Sequence, residues 1–210
     1  MIRNFSINAH SSIKYSGTPV IYFDPYQIPS ESHDADIIFF THSHYDHLSP
    51  DDVALIRKPE TIFVAPKSIE KDLDVLGSDS SHIVLLEPDD STEVLGVKIE
   101  AVRAHTPEAP FHPKENNWLG YVVVLNGLRY YICGDTYLTD EAKAVKCDVL
   151  FAPIGGKYTM NAEQAAELAN TIHPRAAVPT HYACIIGEKE DADVFRAEVD
   201  KDIEVETLIK

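Results

Sequence analysis

An α/β fold, with helices laid over the outer faces of β-sheets, is what this 210-residue sequence predicts. Two observations carry that expectation. Short apolar runs bounded by turn residues fill the first part of the chain, and strand-like and helix-like segments alternate after the Asn126-Gly127 pair. Strands early and β/α units late imply sheets that need helical cover. No low-complexity stretch or long linker divides the sequence, so residues 1–210 are expected to form one domain. A chain of this length buries roughly 70% of the surface it exposes when unfolded.

The elements follow in order. Ile2, Phe5 and Ile7 alternate loosely, as a first strand would. Val20–Phe23 is an apolar run closed by Asp24-Pro25, and residues 37–40 form another that feeds directly into Thr41-His42. Ser49-Pro50-Asp51-Asp52 reads as a helix start, with Ser49 as N-cap, Pro50 in the first helical position and acids in the first turn. That helix carries Val53, Leu55 and Ile56 and stops at Pro59. Residues 61–65 read as a strand, 66–77 as a helical segment ending at Gly77, and 83–86 and 97–102 as two further strands. Residues 121–125 and 128–132 flank Asn126-Gly127, which supplies the positive φ angles of a type I′ turn, so they form a hairpin. Strands over 149–152 and 176–179 then alternate with helices over 162–172 and 192–199, and a strand over 203–209 completes the pattern.

The composition excludes some function classes. Hydrophobic residues make up 44% and charged residues 25%, as in ordinary globular proteins and unlike disordered chains. A net charge of −16 with no basic stripe argues against nucleic-acid partners. Cys133, Cys147 and Cys184 are odd in number and form no CxxC pair, which fits spectator thiols in a reducing compartment. No apolar run has the length of a signal peptide core or a membrane span, so the expected setting is cytoplasmic, without membrane partners.

The chemistry is concentrated in His42-Ser43-His44-Tyr45-Asp46-His47. Residues two apart on extended chain point the same way, so His42 and His44 can reach one cation together. The chain then turns, and Asp46 and His47 can face a second cation. Imidazole nitrogen and carboxylate oxygen are the usual donors to zinc and related divalent ions. A solvated, histidine-rich loop is the plain alternative, but this density at a strand end makes it the weaker reading.

His-x-His-x-Asp-His after an apolar strand resembles the signature of the metallo-β-lactamase superfamily. Asp24-Pro25, Gly134-Asp135-Thr136 and Pro179-Thr180-His181-Tyr182 resemble, in order, three further conserved turns of that superfamily. The stretch 111–121, the Pro153-Ile154-Gly155-Gly156 turn and Thr159-Met160-Asn161 look most like its small metal-dependent hydrolases, similar to ascorbate-phosphate lactonase-like proteins. The resemblance implies a four-layer αββα sandwich: two mixed sheets with helices on the outer faces. It implies two divalent ions, zinc first, with Mn2+, Fe2+ or Ni2+ as alternatives, held by His42, His44, Asp46, His47, Asp135 and His181. The third histidine of the first site should stand at a strand end. His105 is preferred there, with His112 the rival, placed otherwise on the substrate side. His10 and Asp46 are the candidate catalytic residues, Asp46 orienting the nucleophile and His10 or His112 serving as proton donor.

The expected activity is hydrolysis of a small, anionic ester, phosphoester or lactone by a hydroxide shared between two cations. Four cationic charges against the two carboxylates Asp46 and Asp135 leave a surplus that suits an anion. A nuclease or phosphodiesterase on the same fold is the alternative. A di-iron redox protein is disfavoured, because such proteins carry Glu where this chain has His44, and a non-catalytic binding module is disfavoured because every matched position holds a competent ligand. The partner is expected to be a small molecule, with a homo-oligomer left open.

Overall fold

The computed structural model describes residues 1–77, 79–107 and 110–209. Two mixed sheets form the frame. The first contains, in spatial and chain order, β1 (Phe5–Ile7), β2 (Ile13–Ser16), β3 (Val20–Phe23), β4 (Ala35–Phe39), β5 (Arg57–Pro66) and β6 (Ile83–Leu86). The second contains β7 (Ser91–Val94), β8 (Val97–Arg103), β9 (Leu119–Leu125), β10 (Leu128–Ile132), β11 (Val149–Pro153), β12 (Ala176–Thr180) and β13 (Glu204–Val205), also adjacent in that order. Each sheet is antiparallel among its hairpin strands and parallel where a longer crossover joins neighbours, as for β3 with β4 and β11 with β12.

Alternation along the strands produces the layers. Ile37 and Phe39 of β4, Tyr130 and Ile132 of β10, and Val149 and Phe151 of β11 point into a core between the sheets. Phe39 stacks on Phe23 at 4.7 Å and meets the Tyr121 ring edge-on at 5.0 Å across that core. The intervening residues point outward. Ile38 and Phe40 pack with Val53 and Ile56 of α1 (Pro50–Ile56), whereas Leu150 and Ala152 pack beneath α3 (Ala162–Ile172) and Phe195 of α4 (Asp191–Glu198). The short α2 (Asp140–Lys143) lies in chain order before α3. Strands buried on both faces read as continuous apolar runs, which is how β4 and β11 look in the sequence.

Local signals set several of the element ends. The Ser49 side chain accepts from the Asp52 amide with Pro50 at the helix start. Asn161 and Gln164 form a reciprocal capping box on α3. Asn126 and Gly127 have φ of 53° and 77°, closing Leu125 against Leu128.

Four expectations need correction. The segment 66–77 winds as 3₁₀ turns, Lys67–Ile69 and Asp72–Leu76, after Pro66 has closed β5. Ile69, Leu73 and Leu76 are buried as a helical face would be, but the bonds run three residues back, as from Leu73 N to Glu70 O and from Gly77 N to Asp74 O. The strand at 61–65 extends back to Arg57 through a register shift opposite Ala35. The final strand spans only Glu204–Val205, and β2 and β7 are additional. No helix among the described residues is long and apolar enough to cross a membrane.

Candidate metal centre

The site lies where the two sheets present their strand ends to each other. β4 runs out into Thr41 and the histidine segment, β10 into Gly134-Asp135 and β12 into His181, while His10 stands in the turn between β1 and β2. The sheets are joined beside it, because the Leu119 amide donates to the Thr41 carbonyl and the Tyr121 hydroxyl donates to the Phe40 carbonyl at 2.7 Å. Gly134, at φ 64°, makes the turn that aims Asp135 inward. His10, Asp24 and His181 also have positive φ, at 53°, 45° and 57°. A side-chain-bearing residue in that region costs of order 1–3 kcal/mol, and such residues gather where function demands a geometry. The His181 amide donates to the His10 carbonyl, so two of these residues hold each other.

Two groups of donors result. His42, His44 and His112 form one, with ligand atoms all within 4.8 Å of one another; His10, Asp46, His47 and His181 form the other on the same criterion. Asp135 lies between them. Its Oδ2 is 3.2 Å from His112 Nε2 and 3.1 Å from His181 Nε2, and its Oδ1 is 3.4 Å from His47 Nε2. These approaches are close without being aligned. His47 Nε2, His112 Nε2, His181 Nε2 and Asp135 Oδ1 are all buried with no hydrogen-bond partner. Unpaired buried polar atoms cost about 1–3 kcal/mol each, so a convergent set of them fits a cation-binding role. The donor set, imidazole nitrogens with carboxylates, is that of divalent transition ions.

Outer contacts fix the rings. Asp24 is buried and accepts from His47 Nδ1 at 2.8 Å, from Thr41 Oγ1 at 2.7 Å and from the Thr41 amide at 2.8 Å. This keeps the His47 proton on Nδ1 and turns Nε2 toward Asp135. Thr41 Oγ1, its proton given to Asp24, accepts from His42 Nδ1 at 3.0 Å and leaves His42 Nε2 facing His44 at 2.9 Å. Trp118 packs against His42, His44 and His112, ring centroids 4.7, 4.9 and 5.5 Å away.

The electrostatics are those of crowded like and unlike charges. Burial disfavours a charge on His47, yet the carboxylates of Asp135 and Asp24 raise its pKa to about 10. Burial also works against ionised Asp135, but His181 and His47 hold it well below the carboxylate range. For Asp46 burial is again outweighed, here by the His10 hydrogen bond and His47, giving about 2. Burial pushes His42 well down and takes His10 to about 4.

His42, His44, Asp46, His47, Asp135 and His181 are therefore brought together, and His105 is not. Its carbonyl accepts from the Tyr137 amide, and its ring turns toward α2, with Nε2 3.5 Å from Glu141 Oε2. The Thr106 amide then bonds the His112 carbonyl, closing the loop so that His112 enters the centre. His10 also departs from expectation. It is fully buried, its Nε2 3.1 Å from Asp46 Oδ2 and its ring 3.7 Å from that of His181, and it is absent from the cavity lining. It cannot hand a proton to a bound molecule from there; it positions Asp46. His112 does line the cavity, but its Nε2 is turned to Asp135. Sequence reasoning gave no site role to Asp24, Thr41 or Trp118; Asp24-Pro25 and the lone tryptophan were the available signals.

Above the centre opens a cavity of about 240 Å³ lined by His44, Tyr45, Asp46, Phe111, His112, Asp135, Tyr158, His181 and Ile185. Larger hollows elsewhere, such as one of about 550 Å³ beside Arg57 and Val75, contain none of these donors.

Comparison with known proteins agrees with this architecture. A profile of the beta-lactamase superfamily domain matches residues 3–182. A UPF0173 metal-dependent hydrolase of Thermococcus onnurineus is 30% identical over 186 residues, covering 82% of this chain and 81% of its own. A crystal structure from Parabacteroides distasonis superposes with a TM-score of 0.80 at 30% identity, covering 98% of this chain and 93% of the other. A metallo hydrolase of the archaeon Ignicoccus hospitalis shares the fold, with a TM-score of 0.78 at 22% identity over 97% and 93% of the two chains. The chain belongs to the beta-lactamase superfamily and, within it, to the UPF0173 metal-dependent hydrolases.

Proposed function

We propose that the protein hydrolyses a small anionic ester, phosphoester or lactone at a centre that holds two divalent cations. The observation that carries this reading is Asp135, whose carboxylate stands between two histidine groups that both leave buried nitrogens unpaired. His42, His44 and His112 would hold one cation, Asp46, His47 and His181 the other, with Asp135 shared. Zinc is the first choice for these donors, and Mn2+, Fe2+ or Ni2+ accept the same set. Bound cations would supply Lewis acidity and a water acidic enough to act as nucleophile at neutral pH.

The chain's own residues prepare that chemistry. Asp24 keeps the His47 proton on the nitrogen away from the centre, and Thr41 does the same for His42. His10 donates from Nε2 to Asp46 and fixes the carboxylate that faces the cavity. Trp118 packs against the rings of His42, His44 and His112 and limits their rotation. The test is to quantify bound metal and to assay the holo-protein on a phosphodiester, a phosphomonoester, a lactone and a thioester, with and without chelator. Metal-dependent turnover of at least one class is expected; inactivity of the fully loaded protein on all of them would reject the reading.

A further inference from the structure

The outer wall of the cavity is apolar. Tyr45, Phe111 and Ile185 on its rim are 67%, 46% and 38% exposed, although they are large side chains that water disfavours. Phe111 meets Tyr158 edge to face, ring centroids 4.7 Å apart, which makes a firm surface of two loop residues. Exposed apolar groups gathered at the mouth of one cavity mark a recognition surface. Charge points the same way. Among the described residues the lining includes no Lys or Arg, and its carboxylates there, Asp46 and Asp135, belong to the floor. Lys157 stands over the Tyr158 ring with Nζ 5.0 Å from the centroid, outside the lining. A substrate with a second anionic group would find no Lys or Arg among the described lining residues, and the net charge of −16 would repel it.

We infer that the substrate joins one reacting ester, phosphoester or lactone group to an uncharged aromatic or branched aliphatic substituent, which packs against Phe111, Tyr158, Tyr45 and Ile185. The inference rests on the hydrolytic reading above and narrows it, away from polyanionic sugar phosphates. A space of about 240 Å³ suits a single ring next to the reacting group.

Binding tests this without turnover. The protein, carrying the metal with which it purifies, is titrated calorimetrically with benzylphosphonate, methylphosphonate and phosphonoacetate, none of which has a bond to hydrolyse. Benzylphosphonate should bind about tenfold or more tightly than methylphosphonate, as burial of one ring allows, and phosphonoacetate no better than methylphosphonate. The benzyl-to-methyl ratio should fall toward one in Phe111→Ala and in Tyr158→Ala, with Ile185→Ala giving a smaller loss. Metal content and melting temperature identify any variant that misfolds, so the wild-type ratio and the remaining variants still decide the matter. Equal affinities in the wild type, a ratio that survives in every folded variant, or preference for phosphonoacetate would overturn the inference. A benzyl preference in a protein that hydrolyses nothing would reject the hydrolytic reading alone, and hydrolysis without that preference would reject only the substituent.

Discussion

Replacing Asp24 by Asn should weaken metal binding although Asp24 touches no site-facing nitrogen. Three donors converge on its two oxygens: the Thr41 amide, Thr41 Oγ1 and His47 Nδ1. In Asp24→Asn the retained oxygen can serve the Thr41 amide, and the new NH2 then faces Thr41 Oγ1 and His47 Nδ1. The hydroxyl can rotate to accept. His47 can accept only by moving its proton to Nε2, the atom turned toward Asp135. Loss of such an outer partner costs about 10–100-fold in metal affinity, or about 1.4–2.8 kcal/mol. A proton effect opposes this. Asp135 and Asp24 raise the His47 pKa, so at pH 7 a proton competes with metal for this ring, and wild-type affinity should rise with pH. Removing the Asp24 charge lowers that pKa and weakens the competing proton, which masks part of the loss at pH 7. The deficit should therefore widen as pH rises. Chelator-buffered metal titrations of both proteins at pH 7 and 9.5 measure it, with 15N NMR of the imidazoles reporting the tautomer. Equal affinities at both pH values, with His47 in the same tautomer, would refute the reasoning.

Other perturbations separate site from scaffold. His112→Ala should lose about one metal equivalent and at least about a hundredfold in hydrolysis, whereas His105→Ala should keep its metal and lose about 1–3 kcal/mol of stability, read by metal analysis and chemical denaturation. Gly155→Ala would place a Cβ 2.5 Å from the His181 carbonyl and 3.0 Å from His181 Nδ1, so it should cost about 1–3 kcal/mol and release metal from the His181 side, seen in thermal melts and metal content. Tyr121→Phe leaves the Phe40 carbonyl without its 2.7 Å partner and should cost about 1–3 kcal/mol with metal content unchanged. Loading the wild type at pH 8 should release protons, the His47 proton among them, and Asp24→Asn should release fewer, measured by calorimetry in buffers of different ionisation enthalpy.

Much of this was readable from local pattern because local pattern was its cause. The apolar runs at 37–40 and 149–152 fill both faces of buried strands, and Asn126-Gly127 closes a hairpin through its own φ preferences. The histidine segment declares itself because all four of its polar donors sit within one strand-end turn. What stayed hidden depends on partners distant in sequence. His105 looks the better placed of two histidines until the Tyr137 amide is seen to fix its backbone, with its ring turned toward Glu141, and the Thr106–His112 bond to carry its rival inward. His10 reads as a candidate proton donor because nothing nearby tells of Asp46, 36 positions away, which its ring holds instead. The edge strand β7, Ser91–Val94, alternates exposed polar residues and gives no apolar period, and the turns between Lys67 and Leu76 show a helical apolar spacing that packing satisfies with tighter winding.

The central claim is that two cations share Asp135, and anomalous X-ray scattering at the absorption edge of the bound metal addresses it most directly. Two peaks are predicted, one among His42, His44 and His112 and one among Asp46, His47 and His181, with the Asp135 carboxylate between them. A single peak at full metal occupancy, or a peak beside His105, would contradict the account.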